Sequence, residues 1–144
     1  CAFSGKDVSL KQQASPLQNE ATSYGKLFSR CVLAEMPLGE IIYVSGTASI
    51  DQAGKSIYQG DFIKQFEFTL EILQAILNEV QCDFSHVAQA TVYLKKHADF
   101  DACKKISKKA GFPRERSLFQ LDNHVCRDDL LCEIELTAIK QKNE

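Results

Sequence analysis

The stretch that decides the fold runs from residue 60 to residue 95 and reads GDFIKQFEFTLEILQAILNEVQCDFSHVAQATVYLK. Its first part places apolar residues at intervals of three and four, which predicts an amphipathic helix to about Val80. Asp61 is well suited to cap the start of that helix. The last part, residues 86–95, alternates apolar side chains with others, which is typical of a strand buried on at least one face.

The flanking sequence predicts four more strands and a second helix. The turn-forming segment from Met36 to Gly39 joins two apolar runs, so these runs are predicted to form a hairpin. Gly111 and Pro113 mark the end of the second helix. The predicted order is β-β-α-β-α-β-β, an α+β fold with two helices packed on one face of a sheet. The flanking strands are predicted at residues 27–34, 40–45, 117–121 and 128–140, and the second helix at residues 99–110.

The composition is that of a globular protein, with 44% hydrophobic and 25% charged residues among 144. The length fits one domain, and a formal net charge of -2 does not point to nucleic acid or to an anionic membrane. No apolar run is long enough to span a bilayer and no leader-like segment stands out, so we expect no membrane partner and a cytoplasmic location. Residues 1–22 are polar without a clear period and are expected to form a loose N-terminal extension to a domain of residues 23–144.

The six cysteines form no C-x-x-C pair, and reduced thiols are the expected state in a chain of this size. Cys31 and Cys132 lie in apolar stretches and are expected in the core. Cys103 lies among lysines of the second helix, which could lower its pKa. The three histidines do not share ligand spacing with the cysteines, so no metal site is predicted.

The final predicted strand carries two carboxylates on one face. Apolar residues occupy one side of this strand, and Glu133 and Glu135 project from the other. Two carboxylates on one sheet face need hydrogen-bonding partners or water, and a wet, charged pocket between copies of the chain would supply both. The alternatives are that Glu133 protects an exposed strand from aggregation and that Glu135 is a structural or interface charge.

A set of short motifs runs through the chain in order. They are Ser45-Gly46 at the end of the second strand, Gly60-Asp61 at the helix start, TVYLK at residues 91–95, the segment from Phe112-Pro113 to Arg116-Ser117, and Glu133-Ile134-Glu135. In this order and spacing they resemble the RidA family, also called YjgF, over about residues 27–140. The resemblance implies a chorismate-mutase-like fold, assembled as a homotrimer around a barrel of sheets, with small-molecule clefts between the subunits.

The resemblance also implies hydrolysis of reactive 2-imino or 2-enamino acids to 2-keto acids and ammonia, without a cofactor. In the family an arginine at the position of Arg116 binds the substrate carboxylate, and a glutamate at the position of Glu133 activates water. A guanidinium suits the first role because it binds a carboxylate through two parallel hydrogen bonds. Ser45, Gly46 and Thr47 would line the pocket. The alternative reading makes Arg116 a solvated loop residue and Gly46 a strand end that needs glycine.

Two pocket positions depart from the family pattern. Phe28 stands where a tyrosine is typical, and Leu118 stands where cysteine is common, two residues after the arginine. The loop at residues 122–127 is also longer. A changed set of hydrogen bonds predicts a different substrate, a weaker enzyme or no enzyme.

A second resemblance is to the C-terminal half of the chorismatases. It is carried by FSRCVLAE at residues 28–35, YVSGTASID at residues 43–51 and VCRDDLLCEIEL at residues 125–136. The resemblance implies hydrolysis of chorismate, an enol-pyruvyl ether, with Glu133 again catalytic. Arg127 would then bind a second carboxylate, although a surface pair with a neighbouring aspartate is the alternative role.

A basic stripe covers the second helix and its flanks. A solvated helix face is favoured over RNA contact, because the stripe lacks interleaved aromatic residues for base stacking. The sequence therefore argues against nucleic acid as a partner, and a non-catalytic module that binds a keto acid or RNA stays as an alternative function. The stripe comprises Lys95, Lys96, Lys104, Lys105, Lys108, Lys109, Arg114 and Arg116.

Overall fold

Six strands form one mixed sheet in the computed structural model, which describes residues 8–19 and 29–142. The strands are β1 (Ser9–Gln13), β2 (Cys31–Met36), β3 (Gly39–Thr47), β4 (Val87–Leu94), β5 (Ser117–Gln120) and β6 (Cys132–Gln141), and the helices are α1 (Phe62–Glu79) and α2 (Phe100–Ala110). Their order across the sheet is β1-β2-β3-β6-β4-β5. Neighbouring strands run antiparallel except β4 and β5, which are parallel. The predicted α+β class is confirmed.

Helix α1 forms where the spacing predicted it. The Asp61 side chain accepts a hydrogen bond from the backbone N–H of Lys64 at 3.0 Å, which caps the first turn. The helix lays one apolar face on the sheet, and each fully buried large side chain on that face contributes about 1.5–3 kcal/mol. All the residues that set the predicted period are buried, namely Phe62, Phe66, Leu70, Leu73, Leu77 and Val80.

Helix α2 ends at Gly111, which adopts the left-handed conformation at φ +72 that favours glycine. Its apolar side packs on the sheet edge, where the ring centroids of Phe100 and Phe119 are 5.2 Å apart.

Cys103 is fully buried, and burial raises the pKa of its thiol to about 11. The charge of Lys104 does act to lower this pKa, as the sequence suggested, but desolvation outweighs it and the net shift is upward.

The N-terminal segment contains strand β1, which the sequence did not predict. It pairs antiparallel with β2, with Ser9 opposite Glu35 and Gln13 opposite Cys31. As an edge strand it buries neither face fully, so its sequence lacks the apolar alternation that marks a strand. Residues 20–28 lie outside the described residues, so the domain boundary after residue 22 stays a prediction.

The last strand starts later than predicted, at Cys132 instead of residue 128. The Gln65 side chain, which is fully buried in α1, holds the preceding residues in a turn. Its Nε2 donates to the Asp129 carbonyl at 2.9 Å, and its Oε1 accepts from the Leu131 N–H at 2.8 Å. A side-chain amide thus takes the place of a strand neighbour.

As expected, Cys31 and Cys132 are buried in the core.

Candidate functional site

The face of the sheet opposite the helices carries the predicted carboxylates. In β6 the residues alternate, so that Ile134 is buried against the helices while Glu133 and Glu135 face outward. On the neighbouring strand Tyr93 lies opposite Glu133 and Thr91 lies opposite Glu135. The predicted arrangement of an apolar inner side and an acidic outer side is therefore confirmed for this strand.

Gly46 lies directly against the carboxylate of Glu133. A β-carbon added at Gly46 would be 2.1 Å from Oε1 of Glu133 and 3.0 Å from its Cδ. Strand β3 has a bulge here, because Val44 pairs with Leu136 while Thr47 pairs with Ile134. A bulge inserts one residue, bends the strand and changes where its neighbours point. Glycine at this position lets the carboxylate lie over bare backbone.

The two hydroxyls beside Gly46 hold this bulge in shape. The Ser45 hydroxyl donates to the Ser29 carbonyl at 2.5 Å, and the Ser45 N–H donates to the Arg30 carbonyl at 3.0 Å. The Thr47 hydroxyl is fully buried and donates to the Ser45 carbonyl at 2.9 Å. Both hydroxyls are thus directed at backbone, and Gly46 is the residue of this segment that lies against Glu133.

Cys126 also lies beside Glu133, and the sequence did not single it out. This cysteine is solvent-exposed in the loop that precedes β6. Partial burial raises the pKa of its thiol to about 11, and the charge and hydrogen bonding of Glu133 raise it further in the same direction. At neutral pH the group is therefore a neutral thiol that can donate to the carboxylate. A signal was present in the sequence, because Cys126 and Glu133 both belong to the chorismatase-like motif at residues 125–136. The sequence alone does not show that the loop folds back so that Cys126 lies beside Glu133.

Glu135 has a defined partner of its own. The hydroxyl of Tyr93 donates to Oε1 of Glu135 at 3.0 Å. Desolvation, followed by this hydrogen bond, raises the pKa of Tyr93, so the phenol stays protonated and keeps donating at neutral pH. The pair fits the expectation that Glu135 is a structural or interface charge.

Arg116 does not meet Glu133 within one chain. Ser117, the next residue, pairs with Ala90 on β4. Glu133 pairs with Tyr93, three residues further along β4, from the strand on its other side. Three residues of strand and two strand spacings separate Ser117 from Glu133, about 10 Å in each direction. The Arg116 guanidinium points the other way, with Nη1 donating to the Ser85 carbonyl at 3.1 Å.

Arg127 is hydrogen-bonded to another loop. Its Nη1 donates to the Gly54 carbonyl at 2.7 Å and lies 3.4 Å from the Ser56 hydroxyl. The interpretation of Arg127 as a surface partner of a neighbouring aspartate is replaced by this contact with the Asp51–Gly54 turn.

Leu118, a predicted pocket residue, is 55% exposed on the outer side of edge strand β5. Phe28 lies outside the described residues.

The outer face is a shallow trough rather than a closed pocket. Its central depression has a volume of about 260 Å³. Exposed apolar side chains lie on the same face, including Ile139 at 48% exposure and Leu118. Apolar and acidic groups on one open surface are typical of a face that a second protein surface covers. The side chains that line the depression include Tyr43, Ser45, Gln89, Thr91, Glu135 and Thr137.

Within residues 8–19 and 29–142, no three histidine, cysteine, aspartate or glutamate side chains are grouped so that they could hold a metal ion. None of the helices in that part of the chain is long and apolar enough to cross a membrane.

Three curated proteins are similar in sequence. Protein DfrA of Myxococcus xanthus is 30% identical over 89 residues, which is 60% of this chain and 68% of that protein. The RutC family protein UK114 of Drosophila melanogaster is 33% identical over 101 residues, which is 68% of this chain and 71% of that protein. A 3-hydroxybenzoate synthase of Streptomyces hygroscopicus is 28% identical over 107 residues, and this chain spans 31% of its length.

Two solved structures show the same fold. RidA from the Antarctic bacterium Psychrobacter sp. PAMC 21119 matches with a TM-score of 0.70 at 16% identity, over 90% of this chain and 99% of that chain. A chorismatase matches with a TM-score of 0.73 at 22% identity, over 90% of this chain and 44% of that chain. At these identities the likeness establishes the fold.

This chain is a small α+β domain with two helices on one face of its sheet and an open, acidic outer face. The family model described as Endoribonuclease L-PSP matches residues 26–140. The chain belongs to this family, which is also known as YjgF/RidA.

Proposed function

We propose that this protein hydrolyses small 2-imino or 2-enamino acids to 2-keto acids and ammonia, in clefts between the subunits of a homotrimer. The observation that carries the proposal is the Glu133 carboxylate, which lies against the bare backbone of Gly46 on the outward face of the sheet. A carboxylate placed there can accept a proton from a water molecule held beside it.

The chemistry needs little more than placement, because an imine already reacts with water. Glu133 accepts the proton as water adds to the imine carbon and passes it to the nitrogen, which leaves a hydroxyl and an amino group on that carbon. Transfer of the remaining hydroxyl proton to the amino group through the same carboxylate lets the C–N bond break, so that ammonia leaves and the carbon is left as a ketone. In this scheme side chains and water suffice, without a cofactor or metal, and correct positioning supplies most of the acceleration.

Arg116 would bind the substrate carboxylate from a neighbouring subunit. Within one chain it lies well beyond hydrogen-bonding range of a substrate at Glu133, since Ser117 is already about 14 Å away by strand geometry. The outer face, with its mixed acidic and apolar surface, is where the second chain would pack. A cyclic assembly would repeat the same contact at each interface.

A chorismatase-like activity is the second candidate, and similarity to the 3-hydroxybenzoate synthase and to the chorismatase fold favours it. Chorismate carries two carboxylates, and Arg127 was the predicted partner of the second. That guanidinium donates to the Gly54 carbonyl instead. A substrate with one carboxylate therefore suits this chain better.

RNA binding through the basic stripe has less support. Lys104 pairs with Asp101 at 2.8 Å and lies 4.6 Å from the centre of the Phe100 ring, so part of the stripe already has partners in its own helix. The cytoplasmic location stays a prediction.

An imine-trapping assay tests the proposal. An amino-acid oxidase generates a 2-imino acid, semicarbazide traps it, and the protein is expected to lower the trapped fraction. Glu133→Gln and Arg116→Ala are each expected to lower this effect about 100-fold or more while the oligomer is retained. If the wild-type protein competes with the trap for none of several imino acids, the deaminase proposal is wrong and chorismate is the next substrate to try.

A further inference from the structure

We infer that residues 16–19, here called the strap, hold the site in shape, and that Gln18 is a positioning residue for the Gly46–Glu133 contact. The inference rests on the proposed function for its catalytic consequence, but its structural part stands on contacts alone. The strap follows β1 and belongs to the segment that the sequence predicted to be a loose extension.

Gln18 is 3% exposed, although it lies only a few residues from an exposed edge strand. Its Nε2 donates to the Ala48 carbonyl at 3.1 Å and to the Ile50 carbonyl at 2.7 Å. Both hydrogens of one amide group thus satisfy two backbone acceptors of the turn that follows Gly46 and Thr47. The Ala48 carbonyl also accepts from the Ile50 N–H at 2.8 Å, so the donor that this turn would lose with Gln18 is chiefly the one to the Ile50 carbonyl. A buried carbonyl that loses its donor carries a desolvation penalty, so Gln18 stabilises the conformation of this turn.

The amide orientation is fixed by the same contacts. If the amide were turned over, its own oxygen would face the carbonyl oxygens of Ala48 and Ile50, and like dipoles would repel. Within the described residues the Gln18 Oε1 is buried without a hydrogen-bond partner. A buried acceptor of this kind is unfavourable, so the two donated bonds are what hold the residue in place.

Two further bonds tie the strap to the next turn. Asn19 Nδ2 donates to the Gln52 carbonyl at 2.5 Å, and Gln52 Nε2 donates back to the Pro16 carbonyl at 3.4 Å. The strap therefore crosses residues 48–52 with contacts on both sides of Gln18.

The turn at residues 48–50, which Gln18 holds, packs against the loop that carries Cys126. Ala48 and Ile50 form a small apolar cluster with Leu130, and Val125 packs against it. Cys126 follows Val125 directly and lies beside Glu133. The strap, the turn and the loop thus form one layer at the Glu133 end of the sheet, and Gln18 joins the first to the second.

The test replaces Gln18 with methionine, which keeps the length of the side chain and removes both donors. We expect thiol reagents to label Cys126 about fivefold faster or more in Gln18→Met, because a loosened loop takes this exposed thiol away from the Glu133 carboxylate, which helps to keep it protonated. In the imine assay kcat should fall by a similar factor or more. Labelling is read by mass spectrometry of the Cys126 peptide.

The matched control is Gln13→Leu, a change in the same segment at a side chain whose donated hydrogen bond, among the residues that the structure describes, goes to the adjacent Ala14 carbonyl at 3.3 Å. It should leave labelling and kcat unchanged. Asn19→Ala, a milder change in the strap, should move both readouts in the same direction as Gln18→Met, and it replaces that variant if Gln18→Met does not fold.

The two proposals fail separately. If Gln18→Met and Asn19→Ala fold with wild-type labelling and wild-type kcat, the strap is only an outer layer and the inference is wrong. If the wild type has no imine activity but labelling rises in both strap variants, the positioning inference stands and the proposed reaction fails.

Discussion

The two faces of the sheet differ in burial and in the residue types that they carry. The face under the helices is closed by the chain itself, so side chains such as Phe66, Leu73 and Ile134 are fully buried. The outer face carries Glu133, half-exposed polar groups and exposed apolar side chains such as Ile139. Burial determines the residue types on the first face, whereas on the second the proposed contact with a ligand or with another copy of the chain would determine them.

The largest effect is expected on the helix-covered face. Phe66→Ala should lower the free energy of unfolding by about 3–5 kcal/mol, because it removes a fully buried ring and leaves a cavity. Chemical denaturation measures the loss. Ile63→Ala on the same helix removes a side chain that is 52% exposed and should change stability by less than about 0.5 kcal/mol. Equal losses would remove the contrast between the two sides of α1.

On the outer face, Gly46→Ala should spare the fold and remove activity. The new β-carbon would overlap the Glu133 carboxylate, so that side chain must move. A displacement of this size is expected to lower kcat about 100-fold in the imine assay. Stability should fall by about 1–3 kcal/mol, as for other overpacked sites.

The double variant Gly46→Ala with Glu133→Gln is the control. It should be no slower than Glu133→Gln alone, because both changes remove one function. Additive losses would mean that Gly46 acts independently of Glu133.

A smaller effect is expected on the reactivity of Cys126. Glu133→Gln removes the negative charge that helps to raise the pKa of this thiol, so that pKa should fall from about 11. The thiolate fraction at pH 8 should then rise by about threefold to tenfold, since one pKa unit is a factor of ten. The rate of alkylation at pH 8 measures it, with Cys126→Ser to identify the signal. An unchanged rate would show that Glu133 does not act on Cys126.

The smallest effect is expected at Arg127. Arg127→Ala removes a hydrogen bond to the Gly54 carbonyl and should lower stability by about 1 kcal/mol. The KM for a 2-imino acid should change by less than about twofold, because this guanidinium is not part of the proposed carboxylate clamp. A large rise in KM would instead support the role in binding a second carboxylate.

The difference between the two faces also explains which features of the fold and of the site could be predicted from the sequence. The period of α1, its Asp61 cap and the next strand in the sequence, β4, follow from local chemistry and burial, and all were predicted. The outward direction of Glu133 followed from the two-residue period of a strand. These features depend on neighbours that are close in sequence or on a core that selects apolar residues.

The missed features depend on contacts distant in sequence. Strand β1 has polar residues on both faces, so no period marks it. The bulge at Ser45-Gly46 and the approach of Cys126 to Glu133 arise from how separate loops pack, which no local pattern encodes. The pairing of Arg116 with Glu133 came from family resemblance, and one chain does not bring the two together.

The most direct test of the shared-site proposal mixes two inactive variants. Chains with Arg116→Ala and chains with Glu133→Gln are unfolded together in equal amounts and refolded as one population. If each cleft takes Arg116 from one chain and Glu133 from the next, about a quarter of the clefts regain both groups, and imine hydrolysis should return to about a quarter of the wild-type rate. If the mixture stays as inactive as its parts while the wild type refolds to full activity, the two residues do not meet across an interface, and the account of the site is wrong.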